Sequence, residues 1–338
     1  MRAAKPLTHA DLLDDIIDKV SNYAGVLRKR PIQDVYGILS QTHQYGPQLA
    51  NHGDDAAVVP WNDGYLLLAA DGMMPNLLIN EPYAAGKAAV MVTVNDIYAM
   101  GGRPIGLVNV MASGDAQQRA SIVAGIAKGC HKLQVPMLGG HIHPDAPADH
   151  PALSVAILGH AKKLLRSHLA AVGDNLVLAV DLDGRPGCHS VVSWDANSGK
   201  TPSQLRDRLE VMVTIAEREW AAAAKDVSNA GIVGTAAIMV ENSGQGASIE
   251  LDAIELPAGV NMPQWVLCFQ SYGFILAVAP QNTDRVKALF SDRGITACVL
   301  GRVLGEPIVE IKHAGRSKTL FDFRKDHITG IRFNPHTA

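Results

Sequence analysis

The sequence contains few aromatic and few charged residues, and it has no long apolar run. Of its 338 residues, 5% are Phe, Trp or Tyr and 19% are charged. A transmembrane helix needs about 20 consecutive apolar residues, and no stretch approaches that length. The first 30 residues contain the acidic, amphipathic run D-L-L-D-D-I-I-D instead of the basic start and apolar core of a signal peptide. These absences argue against a membrane protein and against secretion.

The sequence also has few cysteines and a small net charge. The four cysteines (Cys130, Cys188, Cys268 and Cys298) are scattered without a C-x-x-C pair, which is typical of reduced thiols in the cytoplasm. A formal net charge of −3 argues against nucleic acid or an anionic membrane as the main partner. The sequence therefore predicts a cytoplasmic protein that binds neither nucleic acid nor a membrane.

What the chain does have is enough apolar sequence for two cores. With 47% apolar residues over 338 positions, two domains of about 150 residues each are expected. We place the boundary near residue 160, giving domains 1–160 and 161–338. The hydrophobic periodicity predicts an α/β or α+β fold in both halves, each a sheet covered by helices on one face. The predicted helices are 8–24, 31–41, 86–100, 115–134, 204–224, 230–242 and 283–293; the predicted strands are 56–59, 65–70, 105–110, 152–159, 175–180, 248–252, 272–279, 297–304 and 307–311.

Several aspartates stand where a buried element begins or ends. Asp54 and Asp55 precede the apolar run A-A-V-V, and Asp71, Asp96 and Asp226 each end or interrupt an apolar segment. A lone buried carboxylate is costly unless it is paired or binds a cation, and clustered hard oxygens suit Mg²⁺ or Ca²⁺. Several such acids suggest more than one Mg²⁺ along a triphosphate. The alternative is that each aspartate is a turn residue, a salt-bridge partner or a helix cap, as Asp226 could be for the following helix.

Six ordered motifs resemble one superfamily over nearly the whole chain from about residue 50. The motifs are G-D-D-A-A-V (53–58), A-A-D (69–71), V-N-D-I-Y-A-M-G-G-R-P (94–104), L-G-G-H (138–141), D-V-S-N-A-G (226–231) and S-G-Q-G-A-S-I-E-L (243–251). They are similar to the PurM-like superfamily of aminoimidazole-ribonucleotide (AIR) synthase, thiamine-monophosphate kinase, HypE and selenophosphate synthetase. Within it, the chain most resembles the AIR-synthase-related, selenophosphate synthetase-like members.

The resemblance implies a fold, a reaction and a set of site residues. It implies a two-domain fold whose amino-terminal mixed sheet pairs into a barrel in a homodimer, followed by a carboxy-terminal α/β sandwich. It implies ATP bound with Mg²⁺ and in-line phosphoryl transfer to a small-molecule acceptor that the sequence does not name. The implied residues are Asp55, Asp71, Asp96 and Asp226 for Mg²⁺, with Asp54 assisting or only solvating its turn; Asn95, Gly139, Gly140, His141, Arg166 and Ser228 for the nucleotide; and Lys29 with Asp55 for catalysis.

Two alternatives remain open at this point. The chain has His141 and Asn229 where the kinase branch has aspartates, and its first cysteine is Cys130, so a nucleotide-binding protein without turnover is one alternative. The other is a zinc hydrolase, because His141 and His143 are spaced as a ligand pair on a strand. The prolines that follow predict a loop around these histidines. Lys29 could equally be the solvated end of a basic helix.

Overall fold

Two large mixed β-sheets, a small sheet of three short strands and the helices form the computed structural model, which describes residues 9–46, Leu49 and residues 53–333. Residues 1–8 and 334–338 of the predicted domains, including the predicted helix start at Thr8, lie outside this part. The elements run in chain order as α1 (His9–Ser21), α2 (Ala24–Leu27), α3 (Ile32–Leu39), β1 (Ala57–Trp61), β2 (Gly64–Gly72), α4 (Pro75–Asn80), α5 (Pro82–Ala99), β3 (Arg103–Ala112), α6 (Ala116–Leu133), β4 (Met137–His143), β5 (Ala152–Ala161), β6 (Asn175–Val180), β7 (Arg185–Pro186), β8 (Ser193–Asp195), α7 (Pro202–Glu217), β9 (Ala223–Asp226), α8 (Gly231–Asn242), β10 (Gly246–Glu250), α9 (Met262–Trp265), β11 (Phe269–Gln270), β12 (Gly273–Val278), α10 (Thr283–Ser291), β13 (Thr296–Leu304), β14 (Ile308–His313) and β15 (Arg316–Asp322). Short 3-10 helices cover Ser40–Tyr45, Leu251–Ala253 and Pro280–Asn282.

The first sheet has five strands in the order β1-β2-β5-β3-β4, with only β3 and β4 parallel. Side chains alternate between its faces. Leu67, Leu107 and Ile157 are buried on the face that packs on α5. The other face is open and carries exposed apolar side chains, namely Leu68 (54% exposed), Val108 (47%), Val110 (50%) and Leu158 (37%). The predicted mixed amino-terminal sheet with helices is therefore present, and one of its faces is uncovered in the single chain.

The second sheet has seven strands in the order β15-β14-β10-β13-β6-β12-β9. In the interior strand β6, Val177 and Ala179 face the core that includes α7, whereas Leu176 and Leu178 face the core that includes α1 and α8. Helices therefore cover both faces, and the prediction of one covered face is wrong for this sheet. The physical reason is legible in N-L-V-L-A-V (175–180), because a strand buried on both sides is continuously apolar.

Helix α5 lies between the two sheets. It packs on the first sheet and on α6, and it also contacts α7 and β9. Its second half is apolar nearly all round, as expected for a buried helix. Close packing depends on Gly86, where a Cβ would lie 2.1 Å from the carbonyl oxygen of Ile122 in α6. Helix α5 thus places Asp96 between the two sheets.

One predicted helix is shorter than expected. The prediction for 204–224 is wrong after Glu217, where α7 ends, because Glu219 adopts a φ of 53°. The alanine-rich segment that follows has a high helix propensity, yet Ala223–Asp226 forms β9 and pairs antiparallel with β12. Tertiary pairing overrides propensity here. Asp226 therefore ends a strand and does not cap α8, whose N-cap is Ala230.

The division of the chain near residue 160 remains a proposal. The first sheet ends at Ala161 and the second begins at Asn175. Helix α1 precedes the first sheet in sequence, but Leu13, Ile16 and Val20 pack in the core of the second. We propose a division after Ala161 in which α1 belongs structurally with the second unit. Within the described ranges, no helix has the length and apolar character needed to cross a bilayer.

Candidate functional site

A cavity of about 640 Å³ contains all five aspartates that the sequence singles out. We call it the carboxylate groove. Asp54 and Asp55 come from the segment before β1, Asp71 from the end of β2, Asp96 from α5 and Asp226 from the end of β9. Residues from the whole length of the chain therefore meet at one place, between the two sheets.

Gly53 shapes the turn that presents the paired aspartates. Its φ is +79°, which side chains rarely tolerate, and a Cβ would lie 2.2 Å from Nδ2 of Asn242. The same Asn242 Nδ2 donates a hydrogen bond to the Gly53 carbonyl at 3.1 Å. The glycine of the G-D-D motif is thus required by backbone conformation and by space.

Asp55 is paired with a buried lysine that the sequence analysis missed. The ammonium of Lys225, which is 7% exposed, donates to the Asp55 carboxylate and also to the Gly53 carbonyl at 3.1 Å. The backbone N–H of Asp226 donates to the other Asp55 oxygen at 3.2 Å. The available signal was the K-D pair at the end of the alanine run, which resembles an ordinary solvated helix surface.

The groove gathers more buried negative groups than positive ones, and the pKa values show this. Burial raises the pKa of Asp226 to about 8, and the charge of Asp55 adds to the effect. Burial, followed by the charges of Asp226 and Asp55, places the pKa of Asp96 well above its ordinary value. Burial alone would lower the pKa of Lys225, but the carboxylates around it, Asp55 first, raise it. Such a site favours any added cation.

The donor set fits Mg²⁺ shared with phosphates better than a metal held by protein alone. Asp55, Asp71, Asp96 and Asp226 supply hard carboxylate oxygens along one cavity. Across the described residues, however, no group of three or more His, Cys, Asp and Glu side chains could hold a metal ion by itself. Mg²⁺ usually takes one or two carboxylates and completes its shell with water and phosphate oxygens. These four aspartates are the residues that would hold it.

Asp54 differs from its neighbour, because its side chain is fully buried in an ion pair with Arg166. Arg166 Nε donates to it at 2.6 Å, and the Ser167 N–H and hydroxyl donate at 2.8 and 3.0 Å. Burial opposes its ionisation, but hydrogen bonding from His168 and the charge of Arg166 outweigh burial and lower the pKa of Asp54. Asp54 and Arg166 thus bind each other in this structure. The metal contact predicted for Asp54 stays a prediction, and so does the phosphate contact predicted for Arg166.

Of the remaining predicted residues, Lys29 and Ser228 line the groove, whereas Asn95 does not contribute to its lining. Asn95 is buried and its Nδ2 donates to the Ser271 carbonyl at 3.2 Å. It therefore ties α5 to the second unit.

Gly139, Gly140 and His141 lie on the edge strand β4, outside the described lining of the groove. Gly139 pairs with Val108 and His141 with Val110, which places both on the open face of the first sheet. A Cβ at Gly139 would meet no atom within 4 Å. Gly140 pairs with Asn109 and has the opposite orientation. Contact of these three residues with nucleotide stays a prediction, and within one chain Gly139 and His141 lie on a different face from the groove.

The groove also has an apolar wall that the sequence analysis did not anticipate. Pro31, Ile32, Val35 and Leu39 line it from α3 and the residue before it, with Tyr36 beside them. Val35 and Leu39 are 55% and 56% exposed. A half-open apolar surface facing carboxylates can receive the flat face of a heterocycle.

A further wall comes from the end of the described chain. Thr329 and Ile331 line the groove. The buried carboxylate of Glu241 fixes this segment by accepting the N–H groups of Ile328 (2.9 Å), Thr329 (2.8 Å) and Gly330 (3.3 Å) and the Thr329 hydroxyl (2.8 Å).

The two histidines of the zinc alternative are on β4, so the predicted loop begins only after His143. The rings of His141 and His143 are 4.6 Å apart at 64° and are exposed. Among the residues that the structure describes, no third ligand joins them in a group able to hold a metal. A catalytic zinc site requires three placed ligands, and this arrangement does not favour a zinc hydrolase.

Comparison with known proteins agrees with this architecture. Residues 53–161 match the N-terminal domain, and residues 171–314 the C-terminal domain, of AIR synthase related proteins. An uncharacterized protein of Synechocystis sp. is 38% identical over 95% of this chain and 99% of its own length.

Two solved structures share the fold. The Thermotoga maritima PurL complexed with ADP has a TM-score of 0.69 at 18% identity, covering 84% of this chain and 48% of PurL. The protein named AaThiL, complexed with AMPPCP and TMP, has a TM-score of 0.62 at 19% identity, covering 85% of this chain and 96% of that one. The chain thus spans about half of PurL. The two matched domains and the full-length relative show that the chain belongs to the AIR synthase related family, with the two-domain PurM-like fold.

Proposed function

We propose that the carboxylate groove binds ATP with Mg²⁺ and that the protein transfers the terminal phosphoryl group to a small-molecule acceptor. The observation that carries the proposal is the convergence of Asp55, Asp71, Asp96 and Asp226, with Lys29, on one cavity. Four acids with too little counter-charge are poorly suited to a structural role and well suited to Mg²⁺ and a polyphosphate. The superfamily includes ATP-using kinases and synthetases, and the structural neighbours with ADP and AMPPCP support the choice of nucleotide.

In the proposed complex, different parts of the nucleotide lie against different walls of the groove. The phosphates would lie along the carboxylates with Mg²⁺, which would neutralise their charge and that of the transition state. Lys29, at the rim, is placed to attract the terminal phosphoryl group, and the base would rest on the apolar wall of Val35 and Leu39. Catalysis in this class depends mostly on positioning and charge stabilisation. Helix α5 suits that role because both of its sides are packed.

We further propose a homodimer through the open face of the first sheet. Leu68, Val108, Val110 and Leu158 form a contiguous apolar surface across neighbouring strands, and such surfaces usually mark interfaces. Pairing two such faces into a barrel would cover them. It would also enclose Gly139 and His141, which offers them a route to a nucleotide bound by the partner. The free state of all four cysteines supports a cytoplasmic location.

Calorimetric titration of ATP, with and without Mg²⁺, tests the binding step. We expect Mg²⁺-dependent binding by the wild type and its loss in Asp55→Asn and Asp96→Asn. Asp63→Asn is the matched control, because Asp63 is an exposed turn residue between β1 and β2. Absence of ATP binding in the wild type, or equal binding in all variants, would refute the proposal.

Transfer is tested separately by release of ADP in the presence of candidate acceptors. ADP release that depends on both an acceptor and Asp55 supports phosphoryl transfer. Tight ATP binding without ADP release across a broad acceptor set would favour the second candidate, a nucleotide-binding protein without turnover. The observation behind that candidate is Asn229, whose side chain contacts the Tyr23 hydroxyl and the Met74 sulfur instead of offering a carboxylate.

A further inference from the structure

A smaller cavity of about 210 Å³ adjoins the carboxylate groove. We call it the side pocket. The two cavities share six residues in their linings, namely Arg28, Lys29, Asp71, Asp96, Asp226 and Ser228. A molecule in the side pocket would therefore reach the same carboxylates as a nucleotide in the groove.

The side pocket is polar at one edge and apolar elsewhere. Each charged residue in its described lining also lines the groove, so the charge lies entirely at the shared edge. The rest of the wall is uncharged and mainly apolar, with Met74, Leu77, Val92, Cys188, Val191 and Phe269 as its main contributors. A buried charge on this wall would have no partner and would be costly. A ligand body that matches this wall is therefore uncharged.

Hydrogen bonds fix the walls of the side pocket. One wall is the segment that carries Cys188 and Val191. Glu81 accepts the N–H groups of His189 and Ser190, both at 3.1 Å, and also the Ser190 hydroxyl. On the other side, Asn229 is held by the Tyr23 hydroxyl at 3.4 Å. These contacts give the cavity a defined shape before a ligand arrives.

Volume limits the size of the ligand. A cavity of about 150 Å³ accommodates benzene, and the side pocket is somewhat larger at about 210 Å³. It therefore fits one ring or a short hydrocarbon chain with a small substituent. The substituent would face the shared edge, because every charged residue of the described lining lies there and the remaining wall carries only uncharged residues.

We propose that the side pocket holds the phosphoryl acceptor, a small molecule with an uncharged ring or hydrocarbon body and a hydroxyl group directed at the shared carboxylate edge. The inference rests on the proposed function of the groove. In the reaction, the acceptor oxygen forms a bond to the γ-phosphorus of ATP as the bond from that phosphorus to the bridging oxygen breaks. ADP leaves with the electron pair, and the hydroxyl proton is released to water.

The first test is binding of 4-fluorophenol, a neutral ring with one hydroxyl, measured by fluorine NMR. Adjacent residues supply a matched pair of variants. Val191 lines the pocket, whereas Val192 is 44% exposed and does not belong to the described lining. Val191→Trp should fill the pocket and weaken binding of the probe by about tenfold or more, while Val192→Trp should bind it as the wild type does. ATP with Mg²⁺ should bind all three proteins equally.

A second measurement keeps the test decisive if Val191→Trp does not fold. Alkylation of Cys188 by iodoacetamide, followed by peptide mass spectrometry, should slow when 4-fluorophenol is present, whereas alkylation of Cys130 should not change. No saturable binding by the wild type, no effect of Val191→Trp, or no protection of Cys188 would each overturn the proposal. Because ATP binding is measured on the same samples, its loss in the wild type would refute the groove function and would be recognised separately.

Discussion

The Lys225 ammonium lies against the carboxylate of Asp55, a residue that the sequence motifs imply as a Mg²⁺ ligand. Both side chains are largely buried, with 9% and 8% of their surface exposed. The groove therefore carries a built-in counter-charge for one of its acids. A metal ion that uses Asp55 must compete with this lysine or share the carboxylate with it.

Replacing Lys225 with methionine should strengthen Mg²⁺ binding in the absence of nucleotide, because the competing cation is removed. The same change should lower the free energy of unfolding in chelator by about 3 kcal/mol, since it leaves a buried carboxylate unpaired. Calorimetric Mg²⁺ titration and urea unfolding measure the two effects. Lys162→Met, at an exposed lysine, is the control. Mg²⁺ affinity that stays the same or falls would contradict competition.

Asp226 should make stability depend on pH, because burial and the Asp55 charge raise its pKa to about 8 against the opposing charges of Lys225 and Lys29. An unfolded aspartate ionises near about pH 4, so between about pH 4 and pH 8 the unfolded chain has already lost the proton that the folded protein keeps. Without Mg²⁺, the free energy of unfolding should fall as pH rises toward about 8, by at most about 1.4 kcal/mol per unit. Asp226→Asn should remove this part of the slope in urea titrations, and an unchanged slope would assign the effect elsewhere.

Asp54→Asn should behave differently from Asp55→Asn. Loss of the charge that Arg166 and Ser167 surround should cost about 3 kcal/mol of stability, while ATP with Mg²⁺ should bind as in the wild type. The lowered pKa of Asp54 means that its contribution is present above the unfolded pKa and is lost as pH falls through the folded value. Urea unfolding at neutral and acid pH, with calorimetry, measures both. Lost ATP binding with unchanged stability would instead make Asp54 a ligand.

Glu241→Gln should loosen the segment from Ile328 to Gly330, because a neutral amide cannot accept all four hydrogen bonds as strongly. We expect faster amide hydrogen exchange in this segment and a loss of about 2 kcal/mol or more in stability. ATP binding should weaken, since Thr329 and Ile331 line the groove. Glu250→Gln, at a half-buried strand residue, provides the comparison. Unchanged exchange would show that other contacts hold the segment.

Val110→Glu should reduce the molar mass in solution from two chains to one if the open face forms the proposed dimer. A charge placed on an apolar interface opposes its burial. Light scattering coupled to size-exclusion chromatography gives the mass directly. Val123 is similarly exposed at 49%, but it lies on α6, so Val123→Glu should remain dimeric. A wild type that elutes as one chain would exclude the dimer.

The sequence singles out the groove acids because their signal is local. Asp55, Asp71, Asp96 and Asp226 stand beside apolar segments, and this position is visible from the neighbouring residues alone. The fold brings all four to one cavity, while their binding of Mg²⁺ stays a prediction. The pairing of Asp54 with Arg166 was not predictable in this way. It joins residues 112 positions apart, and adjacent aspartates look equivalent until the fold separates their partners.

The elements were predicted where local propensity and tertiary packing agree. Helix α6 and strand β6 lie close to the predicted ranges of 115–134 and 175–180. Ala223 and Ala224 were assigned to the helix 204–224, since alanine favours a helix, and only pairing with β12 reveals a strand over Ala223–Asp226. Lys225 was missed for the same reason, since its side chain is buried only because β9 forms and places it in the groove.

The segment that Glu241 anchors is synthesised after all the acids of the groove. The acids of the groove are present in the nascent chain once Asp226 has emerged, yet the wall at Thr329 and Ile331 is made a hundred residues later in sequence. Chains are synthesised from the amino terminus at about 5–20 residues per second. For some seconds, therefore, a ribosome-bound chain carries the clustered carboxylates without their final enclosure, and Mg²⁺ bound to them in that interval would act as a folding ligand.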